Sequence, residues 1–574
     1  MVYLGIVTRK RRVAEMAPME AHLATVLESI ADGIGDRPAI SQGDVELSWR
    51  ELDERAARLA SVLADAGVSP GDTVGLYLHN CPEYLETWLA AFKIRAIPVN
   101  INYRYVADEL EYLLDDCGAR VLVHSAELSE PVAAVLARRP MDLVVCAGSS
   151  NETLPKEAAS YSDVVSAAEP HPRIERSSED HQLLYTGGTT GMPKGVVYRI
   201  GGVVLEVGRV VAPLVGATEV PADAAAVVRN AITAARSGAS LVTLLLPPLM
   251  HGTGLSMALA TLATGGTVVL DADAGFDARA ALAQAEESDA SMVVVVGDAF
   301  ARPLLVEARR RTARGEPVEL GSLRLVMSSG AMLSEETKAG LLELAPQAMV
   351  VDMLASSEGP MGTSLSTAAG GPQTTMFTPR EGTVVLDECD QVVPAGSDRI
   401  GRVAVPGDNP IGYHNDPKKT AETFREIDGV RYVLPGDWAA VEPDGTLRLL
   451  GRGSHCINTG GEKVFPEEVE EVLKSHPEVL DALVFGVEDD RWGQRIEAVV
   501  SSCDGSCIDE RILDSHLRDH LAGYKAPKRL TQLAVVPRAP NGKADYAAAR
   551  SLAAEAAQAT GTAESSGGTT KVAT

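Results

Sequence analysis

Between about residues 50 and 350 the chain alternates two hydrophobic rhythms. The runs "TVGLYL", "AIPVNI", "RVLVH", "LVVCA", "SLVTLLLP", "GTVVL", "SMVVVVG" and "RLVMSSG" are apolar on both parities, the pattern of strands buried on both faces. Between them lie segments such as "SWRELDERAARLASVLADAG", with apolar residues at helical spacing and a glycine stop. This alternation predicts an α/β architecture with largely parallel sheets. From about residue 380 the rhythm changes. "EGTVVLDECDQVV", "GRVAV" and "GVRYVLPGDWAAVEPDGTLRLLG" read as short strands separated by Gly, Asp and Pro turns, hence a β-rich subdomain. Beyond "LLGRGSHCINTGGEKV" a helix opens at Pro466, with Glu467 and Glu468 at its positive end. Val469, Val472 and Leu473 share one face until Pro477. "ALVFGVED", "IEAVVSSC" and "QLAVVPRAP" supply strands for a small α+β terminal domain. The boundary falls at Gly451 to Ser454. The division expected is an extension over 1–20, a large domain over 21–451, a small domain over 452–550 and a tail over 551–574, disordered by composition.

A chain of 574 residues exceeds one hydrophobic core, in keeping with two to four domains. Its formal net charge of −27 disfavours a nucleic-acid partner but leaves room for a local positive pocket. The seven cysteines are scattered, with Cys503 and Cys507 closest, so neither a disulfide framework nor a zinc site is expected. Reduced thiols point to the cytoplasm, and His455-Cys456 reads as an incidental pair. No run approaches the roughly 18 apolar residues of a membrane span, so no integral membrane association is expected. The opening "MVYLGIVTRKRRVAEM" places its basic cluster after the apolar run, the reverse of a secretory signal; Met16 or Met19 would also serve as starts.

Directly after Leu183-Leu184 comes "YTGGTTGMPKG", residues 185 to 195. Glycine loses more conformational entropy on folding than any other residue, so such a loop is costly unless backbone must approach something closely. Successive small residues aim N–H groups, hydroxyls and one lysine into a single concavity, an anion nest suited to phosphate. The G-x-x-x-x-G-K-[ST] fingerprint is absent, because Lys194 follows Pro193 and precedes Gly195.

The loop resembles the phosphate loop of the adenylate-forming superfamily, the acyl-CoA synthetases, adenylation domains and luciferases, with Gly187 where serine is usual. The similarity runs over about residues 25 to 550, with several motifs in the family's order. It implies the adenylate-forming enzyme fold: a large domain of two α/β sheets plus the β-rich subdomain, and a small mobile domain. In the loop it implies nucleotide binding by Thr186, Gly188, Thr189, Thr190, Gly191 and Lys194, with Thr190 also catalytic and at the metal. "PPLMHGTG" resembles the strand-end motif and puts His251 beside the acyl carboxylate. "SSGAML" would line the acyl and adenine sites through Gly330 and Ala331. "LASSEG" resembles the Y-G-x-T-E motif, so Glu358 would hold Mg²⁺, Ser357 replaces threonine, and Leu354 and Ala355 replace the tyrosine and glycine beside adenine. Asp437 would accept from the ribose hydroxyls, although alone it reads as a turn aspartate after Pro-Gly. "LLGRGSHCINTGGEKV" resembles the hinge motif: Arg452 would contact nucleotide, Gly460-Gly461 would line the thiol channel with Lys463 nearby, and Ser454 is the pivot. In "APNGKADY", Lys543 sits at an Asn-Gly turn and would reach into the site during adenylation.

The implied activity is an acyl-CoA ligase that uses ATP, Mg²⁺ and coenzyme A. Attack of a carboxylate on the α-phosphorus gives an acyl-adenylate, and CoA thiol then displaces AMP. Thr189, Thr190 and Lys194 would hold the β- and γ-phosphates, and Lys543 would neutralise the α-phosphate and incoming carboxylate. Lys525, Lys528 and Arg529 are candidates for CoA phosphates or a solvated basic edge. "NINYRYVADEL", "GDAFARPLL" and "NTGGEKV" look most like actinobacterial ligases for fatty and steroid-derived acids, so the expected acid is bulky: steroid, terpenoid or long-chain. The little bulk at His251-Gly252-Thr253-Gly254 and Ser256 suits that. A homodimer is compatible with this reading. The alternatives are an enzyme that mainly thioesterifies supplied acyl-adenylate, a nucleotide-binding protein without turnover, and a luciferase-like oxygenase. A peptide-synthetase module is disfavoured, since no carrier domain follows Lys543.

Overall fold

The computed structural model describes residues 19–148, 158–186, 193–217, 220–271, 275–371, 375–453, 456–459, 462–489, 493–521, 523–539 and 542–565. Every apolar run quoted above from the first 350 residues forms a strand, including Thr73–Tyr77, Val121–Ser125, Met292–Val295 and Leu325–Ser329. Two large sheets result. In an eight-stranded sheet, Leu143–Ala147, Val121–Ser125, Thr73–Tyr77, Ile97–Asn100 and His181–Thr186 run parallel. Lys194–Arg199 then pairs antiparallel, and Gly412–Tyr413 closes that edge. In a fifteen-stranded sheet, Thr267–Leu270, Val242–Leu245, Met292–Val295, Leu325–Ser329 and Met349–Ser356 run parallel. The chain then reverses into Gly359–Thr367, and the ladder continues through Met376–Pro379 into the β-rich region. The β-rich subdomain is therefore bonded to this sheet rather than standing as a separate layer.

Helices follow from the same patterning. Trp49–Asp65 begins at Ser48, whose hydroxyl accepts from Glu51 N–H while Glu51 accepts from Ser48, a reciprocal cap. Trp49, Leu52, Ala56, Leu59, Ala60 and Leu63 form its buried face. Beside it Pro82–Lys93 buries Tyr84, Trp88 and Phe92, and a single apolar cluster extends from these helices to Leu245, Leu270 and Val294 of the large sheet. That shared core joins the two sheets.

The small domain is a five-stranded sheet with Val479–Asp489 paired along Gly493–Ser502, flanked by the expected helix Pro466–Lys474. Two expectations are corrected. The strand expected within "QLAVVPRAP" is Arg529–Gln532, parallel to Glu497–Val500, and Val535 beyond it is exposed. The ladder ends with Leu533 N–H donating to Val500, before Pro537 can interrupt it. The tail assigned to 551–574 is instead helical to Ser565, within Tyr546–Ser565. Its alanines favour helix, and Ala549 and Ala553 pack on Leu483, Phe485 and Val499.

The strand that delivers the chain to the cleft, Met349–Ser356, is tied down by a buried ion pair. Lys338 Nζ lies 3.1 Å from Asp352 Oδ2, with the side chains 1% and 8% exposed. Burial pushes the Asp352 carboxyl up to about 6, while Lys338 pulls the other way. Removing one partner leaves an uncompensated buried charge, whereas removing both does not. Lys338→Met should therefore cost about 3 kcal/mol or more in urea unfolding, and Lys338→Met with Asp352→Leu should recover most of it. Equal losses in the single and double variants would contradict this.

Candidate active site

The cleft opens where parallel strands end. Leu325–Ser329 stops at Gly330, which holds φ +90°, a conformation that L side chains rarely adopt. A Cβ at Gly330 would lie 3.5 Å from Thr253 Oγ1, 3.6 Å from Lys543 Cε and 3.7 Å from Val296 Cγ1. Lys543 thus reaches this strand end from the small domain. It is carried on a tight turn in which Ala539 N–H donates to Lys543 O and Gly542 N–H to Ala539 O, each at 2.8 Å, with Gly542 at φ +74°. Ala331, next to Gly330, is half-buried.

His251 caps the start of helix Gly252–Ala263 on the same side. Burial pushes its imidazole down to about 3, and the positive charges of Lys543 and Arg104 act in the same direction. Nε2 is buried with no hydrogen-bond partner among the described residues. A neutral ring with an unused nitrogen, within the positive field of Lys543 and Arg104, suits an incoming anion such as a carboxylate.

The facing wall comes from the eight-stranded sheet. Thr186 pairs with Lys194 across the base of the glycine loop. Lys194 Nζ donates to Asp416 Oδ2 at 2.6 Å, and Asp416 also accepts from Lys419 N–H at the start of helix Pro417–Thr423. Those hydrogen bonds, Lys194 first, hold the Asp416 carboxyl below its usual range. Glu358 lies at the end of the other large sheet and accepts from Tyr413 Oη at 2.5 Å; Tyr198 Oη donates to Ser357 O. Tyr413 sits opposite Val196 on the strand that carries Lys194, so the two sheets present Lys194 and Glu358 to a common crevice.

Asp437 is buried at the start of Asp437–Val441 and lies in register with Arg452 of Leu447–Arg452. Gly188, Thr189, Thr190 and Gly191, and likewise Gly460, Gly461 and Ser454, lie outside the described residues, as do the side chains of Arg452 and Lys463. Leu354, set beside adenine by resemblance, is buried with Met361, Phe377, Val385 and Val403 and serves the core. Lys525 Nζ is 2.5 Å from Glu468 Oε1. Tyr413, Asp416 and Tyr198 were not foreseen from sequence. The Asp-Pro step at 416–417 signals a helix start, but nothing local reveals that Asp416 meets a lysine 222 residues away.

Residues 27–411 match the family described as AMP-binding enzyme, and residues 468–543 match the AMP-binding enzyme C-terminal domain. A 3-oxocholest-4-en-26-oate–CoA ligase from Rhodococcus rhodochrous is 38% identical over 541 residues, covering 92% of this chain and 95% of that protein. A medium/long-chain-fatty-acid–CoA/3-oxocholest-4-en-26-oate–CoA ligase from Mycobacterium tuberculosis H37Rv is 40% identical over 537 residues, with 92% and 95% covered. The crystal structure of an anthranilate CoA ligase in complex with anthranoyl-AMP superposes with a TM-score of 0.80 at 23% identity, covering 94% of this chain and 99% of that one.

The buried His251 gives a pH signature. In the unfolded chain its ring gains a proton below its ordinary value near 6.5, whereas the folded state keeps it neutral down to about 3. The folded state binds fewer protons across that window, so this stability is present above pH 6.5 and is lost as pH falls. By pH 5 the loss should be about 2 kcal/mol, and His251→Asn should flatten the urea-stability profile between pH 7 and 5 by that amount. An unchanged slope in His251→Asn would contradict the assignment.

Proposed function

The chain belongs to the AMP-binding enzyme family, and on that footing we propose how its residues divide the work of an acyl-CoA ligase. It is an ATP-dependent acid–thiol ligase for bulky acids. The proposed acids are steroid, terpenoid or long-chain carboxylates, as the names of its relatives suggest for the first and last.

The carboxylate oxygen attacks the α-phosphorus of ATP, the bond to the β-phosphate oxygen breaks, and pyrophosphate leaves. Negative charge gathers on phosphoryl oxygens, so placement and positive charge do most of the work. In this reading Lys543, over Gly330, takes the α-phosphate and the carboxylate, and neutral His251 borders the carboxylate. Lys194 moves from Asp416 onto the outer phosphates, with Thr186, Gly188, Thr189, Thr190 and Gly191 forming the loop around them. Asp437 takes the ribose and Arg452 the nucleotide, while Gly330, Ala331 and Ser357 line the nucleotide and acyl sites.

Glu358 fits a Mg²⁺ ligand: it is a half-buried carboxylate oriented by Tyr413, and Mg²⁺ in phosphate sites needs only one or two carboxylates beside phosphates and water. Thr190 is the proposed second contact. When bound, the ion would offset phosphate charge. In the second step the CoA sulfur attacks the acyl carbon and AMP leaves. That approach needs Lys543 withdrawn and Gly460, Gly461 and Lys463 brought in, a rotation of residues 452–550 at Ser454 against 21–451. A cytoplasmic location and a homodimer complete the proposal, the latter read by light scattering.

The observation that carries this reading is the lysine of one domain lying over the strand-end glycine of another. Lys543→Ala should lower ATP–pyrophosphate exchange by about a hundredfold or more. Thioester formation from supplied acyl-adenylate should survive within severalfold. Equal loss of both steps would contradict the division. Leu354, buried where an aromatic platform is usual, favours one alternative, an enzyme of the thioester step alone. Absence of exchange in the wild type with its true acid, alongside CoA-dependent consumption of acyl-adenylate, would establish it. A panel in which only short linear acids react would refute the bulky-acid assignment.

A further inference from the structure

The motif "GDAFARPLL" opens the helix Gly297–Ala313 and has no role in the chemistry above. Its first turns are where the small domain rests. The Arg302 side chain is 11% exposed and crosses between domains. It donates to Val479 O at 3.1 Å, Leu480 O at 2.5 Å and Lys474 O at 3.2 Å. Within its own domain it bonds Thr337 Oγ1 at 3.3 Å and Glu336 Oε2 at 3.1 Å. Beneath it, buried Asp298 accepts from Ser334 N–H at 2.9 Å. Asp298 Oδ2 lies 3.6 Å from Arg302 Nε and 3.7 Å from Lys474 Nζ of the small domain.

From these contacts a continuous path leads to the lysine over Gly330. Leu480 precedes Asp481, which pairs with Arg538 through two bonds of 2.6 Å. Arg538 Nη1 in turn donates at 3.2 Å to the carbonyl of Gly542, the residue before Lys543. The same helix also meets that turn directly: a Cβ on Gly542 would lie 3.0 Å from Ala299 Cβ and 3.3 Å from Phe300 Cε2.

We propose that Arg302 is a positioning residue for Lys543, holding the small domain in the pose that places this lysine in the cleft. The acceptors on the small domain are backbone carbonyls, fixed to the rigid body of that domain. Rotation would therefore remove all three together, so Arg302 stabilises the pose seen here and not a rotated one. A contact made in only one of two states shifts their populations. The proposal rests on the two-step reading above.

The test compares the half-reactions in full-length wild type, Arg302→Ala, Arg302→Gln and Arg302→Lys, with thermal melting to show that each variant is folded. ATP–pyrophosphate exchange at saturating ATP should fall about tenfold or more in the alanine and glutamine variants. Their KM for ATP should change little. Thioester formation from supplied acyl-adenylate should be unchanged or faster. Lysine keeps the charge but not the planar fork and should fall between. A parallel drop in both half-reactions, or no drop in exchange, would overturn the proposal. If Arg302→Ala alone fails to fold, Arg302→Gln decides. Failure of the underlying reading is separate, because the wild type itself would then show no exchange.

Discussion

In the proposed reading, a lysine carried by one domain is needed at the strand end of another, and this places the strongest constraint on the molecule. Lys543 lies over Gly330 with its turn against Ala299 and Phe300 and with its domain held through main-chain carbonyls by Arg302. A cation in a partly dry cleft acts far more strongly than the same cation in water. In the two-step reading, a lysine permanently fixed there would also occupy the side from which the thiol approaches. The polar part of the domain interface, a buried carboxylate, two cations and a few carbonyls, is matched to one pose.

The two large sheets serve that constraint. Their parallel strands are buried on both faces and stop at a shared crevice, the usual place for ligands in open α/β sheets. One sheet ends in Lys194, the other in Gly330 and Glu358, and the edge strand Gly412–Tyr413 ties them through Tyr413. The groups proposed to hold phosphate and acyl thus meet without sharing a stretch of chain. His251 stays neutral near Lys543 because its ring is desolvated, so positive charge at this strand end is left to lysine and arginine.

Strands such as Val121–Ser125 and Met292–Val295 were legible because an uninterrupted apolar run has few alternatives in a two-faced sheet. Helix Pro466–Lys474 was legible from its proline start and single apolar face. Arg529–Gln532 was not: "RLTQ" is an edge strand of mixed polarity, and the more apolar "LAVV" beside it carries an exposed Val535. Composition also hid helix Tyr546–Ser565, since small residues suit a tail as well as a helix until Ala549 and Ala553 find a surface to cover. Of the candidate site, motifs singled out Lys194, His251, Glu358 and Lys543, but not the partners of Lys194 and Glu358, which come from Gly412–Tyr413 and the helix start after it. Asp416 and Tyr413 answer to tertiary structure that local spacing does not encode. Arg302 stood in a quoted motif with no assigned duty, because carbonyl acceptors leave no trace in side-chain identity.

The central claim, that one domain takes two positions at a shared centre, is open to a distance measurement. Spin labels at the exposed residues Val306 and Val535, one in each domain, would report it once the exposed Cys389, Cys503 and Cys507 are replaced by serine. Two separations are expected: one matching the present structure with ATP and acid bound, and another with AMP and CoA bound. A single unchanged separation in every ligand state, in an enzyme that still forms the thioester, would contradict it.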